Sequence, residues 1–488
     1  MVDNTILLPI KRACVLLPDY STTGVDYQHY DPPRNLAPLL PEATVDHVFL
    51  NKLTVYKQLK ALKKNNYDIF INLCEGYLDW EVPSIDVIYF LEMLGLPYTG
   101  PNTVLYDPDK EQMKYVAYTV GVTTPKHKIV RNLSECEKPD LGLAFPLFVK
   151  PAKAGDSLGV DERSLVKSKE TLTEKVAQLI REYDEALLEE YIDGREFTVL
   201  VVSDKNTNGR VHAYRPIEYV FDESASFKTY SLKTSSLHPN ANVSIHDPAL
   251  EDRLKQAAIS VFRGFGGVGY ARLDFRMDAS GVLYFLEINF TCSVFYTDGY
   301  EGSADHILRL DGSGPVDFLQ RIIQDGLDRF TQKNPVYEMC GNAISGYGIY
   351  AKKDLLPGAV IFRGEERSQR IATKRHIEST WGKAEMDQFR KYAYPVSNAV
   401  FLLWDESPQH WAPQNHSCNA NTTYAGLNVI ANRLIKAGEE LTLDYADFLD
   451  EYAEPFDCQC ESENCRKQIQ GSPHNSIDFR EKNRQETM

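Results

Sequence analysis

The feature that most limits how this chain folds is a set of four cysteines near its end. Cys458 and Cys460 stand two apart in FDCQCESENC, Cys465 follows five residues later, and Cys418 stands alone upstream in NHSCNAN. Four thiolates at such spacing suit a closed tetrahedral Zn2+ site. Free thiols or disulfides are the alternative, and a reducing compartment disfavours the second. One ligand lies on a core loop and three on a terminal segment. The metal would therefore staple residues 456–471, as a flap, onto Asn415-His416-Ser417-Cys418.

The rest of the chain is too long for one body. A single core stops growing at about 250–300 residues, so 488 residues predict two or three domains. The composition, 43% hydrophobic and 25% charged, is that of a folded protein. A net charge of −16 argues against a nucleic-acid footprint. No apolar run reaches the ~18 residues that span a bilayer. At the N-terminus Asp3 precedes the apolar patch and the bases follow it, the reverse of a secretory signal. The expected compartment is the cytosol, with the nucleus open. Cys14, Cys74, Cys136, Cys292 and Cys340 stand mostly in apolar surroundings and read as buried, reduced thiols.

ACVLLPDY, DIFINLCEG and LGLPYTG read as short buried strands, with helical stretches such as VPSIDVIYFLEMLG between them. That alternation predicts an α/β layer with mainly parallel strands over residues 1–112. Residues 113–330 are mixed: FPLFVKP, ALLEEYI, EFTVLVVS, ARLDFRM and VLYFLEINF as strands, LEDRLKQAAISVFRGFG as a helix. QKNPVYEMCGN reads as a linker, bounded at 331–338. Residues 339–455 are rich in short strands and turns, 456–471 form the flap, and 472–488 read as a mobile tail. The fold class is multi-domain: α/β, then mixed α+β ending in a β-rich part.

In FPLFVKPAKAGDSLGV a strand delivers Lys150 and breaks into a loop of small residues, Ala154-Gly155-Asp156-Ser157. Backbone N–H groups of such a loop can wrap phosphates while the lysine adds a point charge. Asp274 lies on one strand of a hairpin; Glu287 and Asn289 lie two apart on the other and so share a face. Three oxygen ligands together are the hard set that Mg2+ with bound phosphates prefers. Arg272 points the same way as Asp274. A solvated face of alternating strands is the other reading, but Glu287 and Asn289 interrupt a strongly apolar strand.

NLCEG, LEMLGLPYTGP, DPDKEQMK, VKPAKAGDSLGV, EEYIDGREFTV, FKTY, ARLDF and LEINF occur in this order. On these motifs residues 1–330 resemble the ATP-grasp ligases, most of all the D-alanine–D-alanine ligase branch. The resemblance implies an N-terminal α/β domain followed by two α+β subdomains. It implies that Lys114, Lys150 and the loop with Ser157 contact the ATP phosphates. Glu189, Glu190 and Ile192 would hold adenine, Glu196 the ribose, and Lys228 would reach the γ-phosphate. Asp274, Glu287 and Asn289 would hold Mg2+. The implied chemistry activates a carboxylate as an acyl phosphate, which an amine displaces through a tetrahedral intermediate stabilised by Arg272. The chain departs from the family at four places. PDYSTTG, with Thr23, stands where those ligases have Gly-Gly-x-Ser-x-Glu, and Glu75-Gly76 replaces His-Gly. Phe290-Thr291-Cys292-Ser293 replaces Thr-Ser-Pro-Gly, and Asp156 replaces a serine. The nucleotide half is kept and the amino-acid half rebuilt, which puts D-alanine in question while keeping ATP-driven amide or peptide formation.

GYGIYAKKDLLPGAVIFRGEE, NHSCNAN, AGEELTLDY and CQCESENCRKQIQG are similar to a SET methyltransferase domain with its post-SET zinc flap, over about 345–471. The similarity implies that Gly346 and Gly348, with Tyr347 between them, make room for the methionine part of S-adenosylmethionine. Asn415 and His416 would flank its adenine and methionine moieties, and Tyr445 would be the catalytic tyrosine. Cys418, Cys458, Cys460 and Cys465 would hold the zinc. Between these motifs lies the insert where such domains read their acceptor. Its Tyr392 and Tyr394 are either channel walls or packed aromatics. From Glu439 to Asp457 the chain has eight acids and no Lys or Arg, with Tyr445 inside the run. That is a rim for a cationic amine or a solvated acidic face.

The whole is expected to be a bifunctional enzyme using ATP, Mg2+, S-adenosylmethionine and Zn2+. Its expected substrates are small amino acids or amines, with a basic peptide or protein as the other class of methyl acceptor. Neither nucleic acid nor membrane is expected as a partner, and a homodimer is a candidate assembly. Two rivals remain: a protein lysine methyltransferase whose ATP-grasp part only binds a ligand, and a pair of non-catalytic binding modules.

Overall fold

The structure is a computed structural model. It describes residues 10–23, 31–76, 81–136, 141–153, 159–204, 211–221, 241–333, 335–364, 369–397, 399–404 and 412–472. The chain divides into two compact units, Met1–Phe330 and Thr331–Met488.

In the first unit, RACVLLP forms β1 (Arg12–Pro18), with β2 (Thr44–Leu50) and β3 (Ile69–Asn72) parallel on either side. β1 is apolar from Ala13 to Leu17 because both faces are covered. Ala13, Val15 and Leu17 enter one core with Ile69 and Ile71. Cys14 and Leu16 enter another with α1 (Val55–Leu62) and α2 (Ile85–Met93). LGLPYTG supplies a single parallel bridge, Phe70 to Tyr98, in place of the expected strand. α3 (Lys110–Thr119) starts at Asp109, whose carboxylate accepts from the Gln112 amide at 2.7 Å.

Four antiparallel strands follow: β4 (His127–Val130), β5 (Leu147–Pro151), β6 (Leu165–Val166) and β7 (Ala186–Glu190), in the order β4-β7-β5-β6. α4 (Lys169–Tyr183) covers them with Leu172, Val176 and Leu179, an apolar stripe at helical spacing. The next sheet holds β8 (Gly194–Ser203), β9 (Val211–Ala213), β10 (Ile217–Tyr219), β11 (Asn242–Ser244), β12 (Tyr270–Asp278) and β13 (Leu283–Asn289). Its order is β11-β10-β8-β12-β13, with β9 on β8. Phe197, Val199 and Val201 of β8 pack on α5 (Pro248–Gly264) through Leu254 and Ala258, and on Met113 and Ala117 of α3. α6 (Ser303–Asp311) and α7 (Gly314–Lys333) join the core of β1 and β3 through Ile307, Phe318 and Ile322.

In the second unit, β14 (Tyr337–Asn342) pairs with β15 (Gly346–Ala351), Cys340 opposite Gly348. The linker reading of QKNPVYEMCGN is therefore corrected: α7 runs to Lys333 and a strand begins at Tyr337. β14 pairs with β15 alone and is exposed from Glu338 to Gly341, so no buried alternation marks it as a strand. The same exposure overturns Cys340 as a buried thiol, whereas Cys14, Cys74, Cys136 and Cys292 are buried. After β16 (Val360–Phe362), the insert folds around Ile377, Phe389, Phe401 and Leu403. Its strands β17 (Gln369–Thr373), β18 (Ala393–Ser397) and β19 (Val400–Trp404) take the order β17-β19-β18, with α8 (Lys374–Thr380) and α9 (Lys383–Tyr392) between β17 and β18 in sequence. β20 (Thr422–Ala425) and β21 (Asn428–Ala431) form a sheet with β16. β22 (Phe456–Asp457) and β23 (Gln468–Ile469) make the flap hairpin. Isolated bridges join His416 to Leu443 and Tyr350 to Glu440, so NHSC, EELTLDY and the glycine-rich β15 meet in one place. Among the described residues no helix is long and apolar enough to cross a membrane. The tail from 473 onward lies outside them.

Candidate functional site

In the first unit a buried cluster of charges lies where the phosphates were expected. α3 carries Lys110 and Lys114 one turn apart, and β5 carries Lys150. The carboxylate of Glu189, on the neighbouring β7, ion-pairs with Lys114 and, at 2.7 Å, with Lys150. All three side chains are buried: Lys114 is 1% exposed, Lys150 10% and Glu189 4%. Burial alone would raise the Glu189 carboxyl, but Lys114 and Lys150 outweigh it and hold it down at about 2. Lys110, absent from the expected contacts, is equally enclosed. Burial pulls its ammonium down to about 8, with Glu287 opposing. Its sequence signal was the four-residue spacing from Lys114. Glu189 was expected at adenine; here its carboxylate is committed to the two lysines. Ser157 and Lys228 lie outside the described residues.

Other groups of the expected adenine hinge are also engaged. Glu190 Oε1 accepts from the Ala144 amide at 2.9 Å. Arg276 donates to the Ile192 carbonyl at 2.9 Å and to Glu196 Oε2 at 3.1 and 3.0 Å. Its guanidinium also lies 5.0 Å from the centre of the Tyr191 ring. Arg276 thus ties the hinge to the expected ribose acid. It follows Arg272 and Asp274 at period two in ARLDFRM, but its partners lie some eighty residues back, beyond the reach of local pattern.

The expected metal ligands come together. Asp274 faces Glu287 across β12 and β13, and Arg272 faces Asn289. Arg272 donates to Asp274 at 3.3 and 3.2 Å. Asn289 Nδ2 is buried with no hydrogen-bond partner among the described residues. A buried amide left unsatisfied marks a place for a ligand. Two carboxylates and an amide carbonyl are the donor set Mg2+ takes, so these residues fit that ion.

Two of the positions that depart from the family, Glu75 and Ser293, lie in one polar network. Glu75 accepts from Arg34 Nη1 at 3.0 Å and from Ser293 Oγ at 2.6 Å. Arg34, 1% exposed, also pairs with Asp31 at 3.1 Å, donates to the Leu73 carbonyl at 2.8 Å and lies over the Tyr296 ring. The hydroxyls of Tyr20 and Tyr296 both donate to Asp31. Burial lifts the Glu75 carboxyl to about 7, against the pull of Arg34. The Thr23 hydroxyl donates to the Tyr20 carbonyl at 2.9 Å and closes its own turn.

In the second unit, Gly346 takes a φ of +88°, which glycine adopts freely. Gly348 is required for a different reason: a Cβ there would overlap Glu440 Oε1. Asn415 Nδ2 donates to the Tyr347 carbonyl at 2.9 Å and to Glu440 Oε1 at 2.6 Å. His416 Nδ1 accepts from the Tyr445 amide at 3.1 Å, and Nε2 lies 3.4 Å from Cys418 Sγ. Both ring nitrogens are thereby used within the protein, so contact with a cofactor falls to the ring edge or the backbone. The Tyr445 hydroxyl donates to the Gln414 carbonyl at 2.6 Å. Its ring joins an aromatic wall with Phe448, Phe456 and, through Phe448, Tyr394 and Tyr424. The side chain of Tyr392 lies outside what is described.

The sulfur atoms of Cys418, Cys458, Cys460 and Cys465 all lie within 4.8 Å of one another, with Cys418 and Cys458 3.9 Å apart. Tetrahedral zinc with Zn–S bonds near 2.3 Å spaces its sulfurs by about 3.8 Å, so the cluster fits zinc. The Cys418 amide points at Cys460 Sγ and the Arg466 amide at Cys418 Sγ, both at 3.4 Å. Arg466 also pairs with Asp444, beside Tyr445. The acidic run is therefore not an open rim throughout. Asp444 and Glu439 are paired with arginines, Glu440 is hydrogen-bonded, and Asp450 is buried.

Residues 113–296 match the family model for the D-ala D-ala ligase C-terminus, and residues 346–446 match the model for the SET domain. The D-alanine–D-alanine ligase of Pseudomonas fluorescens is 30% identical over 202 residues, covering 41% of this chain and 59% of that protein. That of Ectopseudomonas mendocina is 32% identical over 202 residues, covering 41% and 61%. The chain thus spans about three-fifths of the length of these relatives. Among solved structures, the D-alanine–D-alanine ligase from Bacillus anthracis complexed with ATP is 20% identical, with a TM-score of 0.48, covering 66% of this chain and 100% of that one. The SET match ends before the flap, whose sulfur cluster stands on its own geometry. The chain thus matches two family models in separate stretches, the D-ala D-ala ligase C-terminus over residues 113–296 and the SET domain over residues 346–446.

Proposed function

We propose that the chain is a two-headed enzyme: an ATP-dependent carboxylate–amine ligase and an S-adenosylmethionine-dependent N-methyltransferase. One observation carries the ligase reading. The buried lysines 110, 114 and 150 lie in the field of Glu287, which faces Asp274 across the hairpin. Such an arrangement suits a triphosphate with Mg2+ and is costly to bury without one. A substrate carboxylate oxygen attacks the γ-phosphorus and ADP leaves. An amine then attacks the acyl carbon, phosphate leaves, and the amine gives up a proton. Arg272 would stabilise the oxyanion between those two events. The lysines neutralise the phosphates, and Lys114 and Lys150 are freed from Glu189 as they do so.

For the second head, S-adenosylmethionine would supply an electrophilic methyl group. The acceptor nitrogen would form the N–C bond as the C–S bond breaks, and would then lose its proton. Asn415 and Gly348 would hold the cofactor, Tyr445 would border the transferring carbon, and Tyr394 and Tyr424 would wall the acceptor's approach. The substrates are proposed to be amino acids or amines of small size, with a basic peptide as the other acceptor class.

The rival, a protein methyltransferase with a ligand-binding module, is favoured by one feature. The Arg34–Glu75 network fills the region where the amino-acid determinants were expected. Mass spectrometry of mixed amino acids incubated with ATP, Mg2+ and S-adenosylmethionine separates the two. Condensation products with stoichiometric ADP support the ligase. Methylated protein without ADP release supports the rival.

A further inference from the structure

We infer that Glu440 is the counter-charge that makes the cofactor site of the second unit select a cationic ligand. The inference rests on the methyltransferase reading above and names a residue outside the contacts it uses. Glu440 Oε1 accepts from Asn415 Nδ2 at 2.6 Å and from Asn342 Nδ2 at 2.9 Å; Oε2 also accepts from Asn342, at 2.9 Å. Its backbone is pinned as well, bridged to Tyr350 and accepting from Asn421 Nδ2 at 2.8 Å. The carboxylate therefore has one place to be, hard against Gly348, where even a methyl group would not fit.

All its donors are neutral amides, and among the described residues no cation pairs with it. Neutral amides satisfy the oxygen lone pairs but leave the negative charge uncompensated, and a half-buried charge without a partner is costly. Asn415 shows where compensation would arrive. Both hydrogens of its amide are spent, on Glu440 and on the Tyr347 carbonyl. That leaves Oδ1, a second acceptor, as its atom open to a ligand. A charged and a neutral acceptor beside a glycine-lined strand present one chemistry, that of a cation. S-adenosylmethionine offers two, the sulfonium and the α-ammonium.

The test uses the full chain and calorimetric binding of three probes: S-adenosylmethionine, S-adenosylhomocysteine, which lacks the sulfonium, and methylthioadenosine, which lacks both cations. In Glu440→Gln, the affinity for S-adenosylmethionine should fall about tenfold to a hundredfold, the worth of a charge-assisted contact. Methylthioadenosine should change less than about twofold, within the scatter of a neutral contact. If S-adenosylhomocysteine binding falls together with that of S-adenosylmethionine, the ammonium is the partner; if S-adenosylhomocysteine binding holds, the sulfonium is. Glu440→Asp, which keeps the charge, should keep the preference for the charged probes over methylthioadenosine. Equal losses for all three probes in both variants, or no loss, would overturn the charge role while leaving the methyltransferase reading intact. Wild-type protein that binds none of the probes would overturn that reading, and this inference with it.

Discussion

Glu189→Gln tests the buried charge cluster most directly. The substitution keeps the shape of the side chain and one acceptor oxygen. It leaves two ammonium groups, 1% and 10% exposed, without a counter-charge. Lowering the Glu189 carboxyl from 4.5 to about 2 is worth roughly 3 kcal/mol at about 1.4 kcal/mol per unit. Breaking a buried ion pair costs about 3–5 kcal/mol, in the same range. For a body of this size, with an unfolding entropy of about 2.1 cal/mol/K per residue, that is a fall in Tm of roughly 4–7 °C, read by differential scanning fluorimetry. ATP with Mg2+ supplies the missing negative charge, so its stabilising increment should be larger in the variant than in wild type. The pH dependence has a definite sign. A carboxyl depressed in the folded state contributes fully above its unfolded value and loses that contribution as pH falls through the folded one. The gap between wild type and Glu189→Gln should therefore be full above about pH 4.5 and close on the way to about pH 2. A variant that melts with the wild type at neutral pH and gains no more from ATP would refute the claim that Glu189 holds the lysines in check.

Three further outcomes are expected. Elemental analysis should find one zinc per chain, and Cys418→Ser should lose it, abolishing methyl transfer while ATP binding is unchanged. Gly348→Ala drives a methyl group into a carboxylate that two asparagines hold still, a clash of about 1–3 kcal/mol; isothermal titration should show S-adenosylmethionine binding weakened at least fivefold in a protein that still folds. With a lysine-like acceptor, whose ammonium titrates near 10.4, the methyl-transfer rate measured by radiolabel should rise between about pH 7 and 9, because only the neutral amine attacks.

Much of the architecture is legible from residue pattern. β1 and β3 announce themselves as unbroken apolar runs because both faces of that sheet are covered. β2 is less visible: TVDHVFL sits at the sheet edge, largely half-buried, and mixes polar with apolar positions. β14 is hidden altogether, since a strand with one neighbour and exposed side chains need not alternate. At the site, local spacing finds residues that act through their own element, such as Glu287 with Asn289 or Cys458 with Cys460. It does not find Arg276, Arg34 or Glu440, each of which acts through partners brought in by the fold from tens to hundreds of residues away. Glu189 shows the same limit. The sequence reading sets it at an adenine hinge, but its commitment to Lys114 and Lys150 depends on the diagonal between β5 and β7 and the approach of α3.

The Arg34 network has an evolutionary consequence. The guanidinium draws on Asp31, on Leu73 and Glu75 after β3, and on Val294 and Tyr296, stretches far apart in the chain. Restoring a histidine at Glu75 alone would remove one of the two acids that pair with a buried cation. Removing Arg34 alone would leave Asp31 and Glu75 enclosed without it. Each single substitution should therefore cost more than the two made together, so Arg34 and Glu75 are expected to be energetically coupled. In a library selected for a changed amino-acid preference, substitutions at Arg34 and Glu75 should appear together far more often than either appears alone.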